Sequence, residues 1–186
     1  MLLLLNEIGL FLVNILFNFF IGLVVLRFFL QWVKADFYNP LSQFVMKMTN
    51  FALLPLRRII PGFLGVDCAA IILILLTEAL SLALISLLTQ TSLPGPLFAM
   101  IMGLRLASLI LNLYFFIIII RALLSFSAQA HLNPIYHAFA QLTEPLYRPI
   151  RRILPIIAGF DLSPMVVLII IQVLLMLLRY FSASTL

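Results

Sequence analysis

Four stretches of nearly unbroken apolar character dominate the chain, at roughly Ile8–Val33, Val66–Leu88, Leu97–Phe126 and Pro164–Phe181. A helix needs about 20 apolar residues to cross the roughly 30 Å of bilayer hydrocarbon, so each stretch predicts a membrane span. The two long intervening segments follow a different rhythm. In Leu41–Ala52 the apolar residues Leu41, Phe44, Val45, Met48, Phe51 and Ala52 recur at helical spacing, with Ser42, Gln43, Lys47 and Asn50 between them. In the later segment Ile135, Phe139, Leu142 and Leu146 form the stripe, opposed by His137, Gln141 and Glu144. That pattern suits an amphipathic helix lying in the membrane interface. Asn39-Pro40 and Asn133-Pro134 predict where it begins, with a capping amide followed by proline in the first turn. The predicted fold is an all-α integral membrane protein. It has four transmembrane helices, arranged as two span–loop–span units with an interfacial helix in each loop.

Composition removes the alternatives. Of 186 residues, 65% are hydrophobic and 9% charged, whereas soluble domains are roughly half apolar and about a quarter charged. A soluble domain, a disordered tail and a disulfide scaffold are thereby excluded. The net charge of +5 does not point to nucleic acid, because the basic residues are few and gather in the loops. Lys34, Lys47, Arg57 and Arg58 lie in the first long loop, and Arg148, Arg151 and Arg152 in the second, while the link Thr89–Pro96 carries no charge. The positive-inside rule then places both long loops in the cytoplasm and both termini outside. The opening Met1–Glu7 lacks the basic start of a secretory signal and reads as the lead-in to a retained first span. With Cys68 as sole cysteine, and His131 and His137 as sole histidines, neither an internal disulfide nor a metal cluster is expected.

The two units match without a gap at a spacing of 94 residues. Arg27, Leu30, Asn39, Pro40, Thr49 and Pro55 fall on Arg121, Leu124, Asn133, Pro134, Thr143 and Pro149. Arg57-Arg58-Ile59, Pro61, Gly65 and Asp67 fall on Arg151-Arg152-Ile153, Pro155, Gly159 and Asp161. Twelve of the 41 positions from Arg27 to Asp67 are identical, and most are Pro, Arg, Asn, Gly or Asp, which apolar bias does not generate. The units, 1–90 and 97–186, cross in the same sense and form parallel repeats.

Pro55 and Pro61, like Pro149 and Pro155, lie six apart and predict that the arginine pair rides on a short, stiff segment rather than a long helix. Arg57, Arg58, Arg151 and Arg152 read either as a positive-inside anchor or as a site for anionic lipid or an acidic partner. Asp67 and Asp161 suit helix N-termini, as do Ser163-Pro164, and each aspartate has an arginine pair within reach. Arg27 and Arg121, near span ends, are expected to snorkel outward.

Ionisable groups at membrane depth require a reason. Glu78 lies about 15 Å from the outer end of its span and Arg105 about 12 Å from the outer end of the next, at 1.5 Å per residue. The two are predicted to pair. Asn18 and Asn112 are repeat equivalents, predicted to bond between the first and third spans. No catalytic constellation, Walker loop or dinucleotide turn is present.

Asn-Pro, Thr, Pro-x-Arg-Arg-x-x-Pro and Gly-x-Asp followed by Ser-Pro resembles the bacterial YggT family of membrane proteins. The second copy carries it most fully, from Asn133 to Pro164, whereas the first departs at Phe51, Ala69 and Ala70. The resemblance implies two-span units, single or doubled. Plastid and cyanobacterial members are associated with cytochrome complex assembly and with the distribution of nucleoids and the division machinery. Enterobacterial members are linked to osmotic stress tolerance and cation uptake. No catalytic residue or cofactor is implied. Two readings follow. One is a non-enzymatic scaffold or assembly factor that uses its paired loop helices to bind anionic lipid and other membrane proteins, with homo-oligomers admitted. The other is a channel or transport component in cation homeostasis, carried by Glu78, Arg105 and the asparagines.

Overall fold

The computed structural model describes residues 2–62, 65–126, 132–154 and 161–184. Six helices follow in order: α1 Leu2–Trp32, α2 Pro40–Ile59, α3 Cys68–Leu88, α4 Gly95–Ser125, α5 Pro134–Ile153 and α6 Ser163–Ser184. The regular elements of the described residues are all helical. α1, α3, α4 and α6 are each long and apolar enough to span a bilayer, and the protein is a multi-pass membrane protein. Their outer surfaces expose large apolar side chains such as Phe11, Phe19, Leu76, Phe116 and Met176. That surface is far too apolar for water and fits lipid contact.

Each repeat is a packed unit, with α3 on α1 and α6 on α4, and the repeats meet along α1 and α4. α2 and α5 touch one another, so both long loops lie on the same side of the bundle, here termed the basic face. The short link after α3 lies on the other side. The central core beneath the basic face joins the repeats through Leu23, Leu26, Leu30, Val45, Ile117, Phe139 and Leu142.

Local chemistry sets the ends of the helices. The Asn39 side chain accepts from the Leu41 N–H at 2.9 Å, and Asn133 accepts from Ile135 at 2.9 Å, as the Asn-Pro pairs predict. Asp67 accepts from the Ala70 N–H at 3.2 Å and caps α3. At α6 it is Asp161, at 2.9 Å, that takes the Ser163 N–H; the expected Ser163 cap is not formed. Gly65 adopts φ +80°, a left-handed conformation that glycine enters without steric cost.

The prolines do not break the loop helices. α2 continues through Pro55 to Ile59, and α5 through Pro145 and Pro149 to Ile153. Both prolines of the motif, Pro55 and Pro149, are exposed, so the carbonyl each leaves without a helical donor lies on an open face rather than inside the protein. The helices end one residue further on, at the extended Ile60 and Leu154, and Pro61 follows. The apolar stripe is also turned differently. Ser42, Val45, Thr49 and Leu53 face the bundle, while Phe44, Met48 and Phe51 are exposed. α2 therefore presents a mixed face to the spans and directs its largest apolar side chains outward.

Candidate functional site

Running helically through the proline decides where the arginine pairs go. Adjacent residues on an α-helix are about 100° apart, at 3.6 residues per turn, so the two members of a pair cannot share one direction. Arg57 turns inward, donating to Gln31 Oε1 at 3.0 Å and forming an ion pair with Asp67. Arg151 does the same, with Nε and Nη2 donating to Asp161 Oδ2 at 2.9 and 2.6 Å and Nη1 reaching both Glu144 oxygens at 3.2 Å. Arg58 and Arg152 remain exposed, with no ion pair among the described residues.

A second arginine clamps each loop helix to its span. Arg27 is only 7% exposed and donates to Thr49 Oγ1 at 2.7 Å and Asn50 Oδ1 at 2.8 Å. Arg121 donates to Thr143 Oγ1 and lies over the Tyr147 and Tyr136 rings, 4.6 and 5.9 Å from their centroids. The expected outward snorkelling is overturned. The repeated threonines offer a buried acceptor one helix away, and a desolvated guanidinium requires such partners. Thr49 and Thr143 themselves accept and donate at once, each returning its hydroxyl proton to the carbonyl four residues earlier at 2.7 Å. Sequence reading marked the threonines as repeated without assigning them a role. Their constant 22-residue offset from Arg27 and Arg121 was the available signal.

Electrostatics at this face follow from these pairs. Burial alone would raise the Asp161 carboxyl, yet hydrogen bonds from Ser163 and Arg151 outweigh it and hold the group below the ordinary aspartate range. Burial opposes the charge on Arg151, but the hydrogen bonds to Asp161 prevail and raise its pKa. Burial pushes the Tyr147 phenol up. Between the repeats, the Asn39 side-chain amide donates to the Pro134 carbonyl and fixes α2 to α5.

Deeper in the bundle, Arg105 Nε donates to Glu78 Oε1 at 2.6 Å, with Glu78 only 1% exposed. Nη2 of Arg105 also lies 3.4 Å from Asn14 Oδ1 and from Ser81 Oγ. Each partner stands ten residues from the end of its helix away from the basic face, about 15 Å. Asn14 thus accepts from Arg105 across α1 and α4, but the expected bond between Asn18 and Asn112 is not formed. Asn112 donates to its own helix at Ser108 O, 2.7 Å, and Asn14 to Leu10 O, 2.8 Å. Asn18 and Asn112 instead line a cleft of about 640 Å³ with Arg105, Ser108 and Arg179.

Pro40, Pro61 and Pro134 keep their expected positions at helix boundaries, whereas Pro155, Gly159 and His131 lie outside the described residues. Among the described residues, no three of His, Cys, Asp and Glu gather as a metal site.

The family described as CCB3/YggT matches the chain twice in tandem, at residues 7–88 and 100–182. An uncharacterized protein of Pseudomonas aeruginosa is 38% identical over 175 residues, covering 93% of this chain and 89% of its own length. An uncharacterized protein of Vibrio alginolyticus is 41% identical over 165 residues, covering 87% and 88%. The uncharacterized protein YggT of Escherichia coli is 35% identical over 165 residues, covering 88% and 85%. No solved structure matches.

Proposed function

The chain belongs to the CCB3/YggT family, and from that premise we propose that it is a non-enzymatic scaffold or assembly factor of a bacterial inner membrane, working through its basic face. Seven of the eleven basic residues lie in the two long loops, so the positive-inside rule supports a cytoplasmic basic face and outward termini. The observation that carries the reading is the division of labour within each arginine pair. Arg57 and Arg151 are held in ion pairs that fasten the loop helices. Arg58 and Arg152 are left facing outward, beside the exposed Phe44, Met48 and Phe51 on α2 and Arg148 on α5. A rigid, doubled surface with apolar and cationic groups suits docking to other membrane proteins and to anionic headgroups.

Purification of the full chain in gentle detergent, with identification of bound proteins, tests this. Each arginine near an anionic surface contributes about 1 kcal/mol, so Arg58→Ala/Arg152→Ala should lower specific partner recovery by roughly 30-fold. Undiminished recovery from the double variant sinks the scaffold reading.

The polar cleft around Asn18, Asn112 and Arg105 favours the second reading, a transport component in osmotic and cation homeostasis. Four spans make a thin bundle, so that reading requires oligomers. Cation flux in liposomes that disappears in Glu78→Gln favours it over the scaffold.

A further inference from the structure

The two repeats carry the same arginines but not the same space between them. In the first repeat, Arg27, Gln31, Ser42 and Arg57 border a pocket of about 120 Å³. In the second, their equivalents Arg121, Ser125, Tyr136 and Arg151 border a cleft of about 810 Å³ that runs down between α4 and α6. The first lies against α1 and α2 and the second along α6, and two replacements distinguish their linings. Phe28 packs against Val24, Leu53, Ala69 and Ala70 and fills the first repeat, whereas its counterpart, Ala122, lines the open cleft. Gln31 reaches across to Arg57 at 3.0 Å, whereas its counterpart, Ser125, turns back to the Ala122 carbonyl at 2.6 Å.

We propose that the second-repeat cleft is a binding site for a single anionic phospholipid, with its phosphate at Arg121 and one acyl chain along α6. The charge argument rests on Arg121, whose repeat equivalent Arg27 also has no ion pair among the described residues but is held by Thr49 and Asn50 beside a much smaller pocket. Asp161 and Glu144 answer Arg151, while Arg121 has no carboxylate partner among the described residues and is held by Thr143 and the face of Tyr147. A cation fixed in place by a hydroxyl and an aromatic ring, with its charge unanswered, recognises an anion. Arg121 lies four residues from the end of α4, about 6 Å inside it, a depth suited to a headgroup phosphate. Below it the wall, apolar except for Gln172, follows α6 from Pro164 to Met176. Those twelve residues rise about 18 Å, close to one leaflet of a hydrocarbon core roughly 30 Å thick. Free phosphate would leave this wall uncovered; an acyl chain covers it. The site uses none of the outward arginines of the docking surface, so the lipid and scaffold readings stand or fall separately.

The test grafts the first repeat onto the second. Full-length protein in mixed micelles with equal phosphatidylglycerol and phosphatidylethanolamine is analysed by native mass spectrometry. The wild type should retain one phosphatidylglycerol per chain in preference to phosphatidylethanolamine, and millimolar inorganic phosphate should not displace it. Ala122→Phe/Ser125→Gln should lower that retention by about tenfold. Equal retention of the two lipids, displacement by inorganic phosphate, or wild-type retention in the grafted variant each overturns the proposal. Should the grafted variant fail to fold, Ala122→Cys in a Cys68→Ser background gives a second readout. Phosphatidylglycerol should slow its reaction with a maleimide by about tenfold relative to phosphatidylethanolamine, and equal rates overturn the proposal.

Discussion

Glu78 and Arg105 show how far single residues can be read. Both were legible as a pair because depth in a membrane is set by counting along two helices, and a short link makes those helices neighbours. The observed start of α4 at Gly95 brings the two depths into register. The remaining contacts of Arg105, to Asn14 and Ser81, depend on side-chain reach and were not legible. Removing one member of a buried ion pair costs about 3 kcal/mol or more, because it strands the other charge. Glu78→Gln should therefore lower unfolding stability in detergent by more than Glu78→Gln/Arg105→Gln does. Equal losses in the two variants would show that the pair is not coupled. Arg27 illustrates the opposite case. Its position near a span end predicted an outward side chain, yet Thr49 and Asn50 draw it inward. The acceptors sit 22 and 23 residues away, and nothing in the local sequence says that α2 folds back over α1.

At the level of elements, the starts of α2 and α5 were plain from Asn-Pro because a cap is a contact between near neighbours. Their ends were not. Pro55 and Pro149 removed a donor without ending the helix, since the affected turn is exposed. The consequence is functional: only a continued helix separates Arg57 from Arg58 by about 100°. The junction of α5 with α6 depends on Asp161, whose carboxyl is held below its ordinary pKa. A group lowered in this way stabilises the folded state above the ordinary aspartate value, about 3.9, and loses that contribution as pH falls below it. Asp161→Asn should be less stable than the wild type at pH 7, and thermal unfolding should show the gap closing as the pH approaches about 3. A gap that is constant across that range would mean that Asp161 does not act as a charged tie.

For the whole molecule, the repeat and the four spans set a topology in which both long loops share one side. The contact between α2 and α5 and the Asn39–Pro134 hydrogen bond place them there. With that side cytoplasmic, a reporter active only outside the cytoplasm should work when fused to the C-terminus, and one active only in the cytoplasm should not. The reverse result would invert the orientation and move the basic face to the exterior. A repeated sequence did not make a symmetric molecule. Phe28 packs into the core of one copy, whereas its counterpart Ala122, with Ser125, lines an open cleft in the other.

By itself the sequence determined the membrane class, the spans, the helix starts, the doubled basic motif and the depth of the buried ion pair. All of these follow from composition, from periodicity, or from distances counted along one chain. Tertiary structure alone decided which arginine of each pair turns inward, that Arg27 and Arg121 clamp the loop helices, that Asn14 rather than the Asn18–Asn112 pair links α1 to α4, and that one repeat opens into a cleft. Each of these depends on which helix face meets a neighbour, and that choice is made by the combined volumes of side chains far apart in sequence.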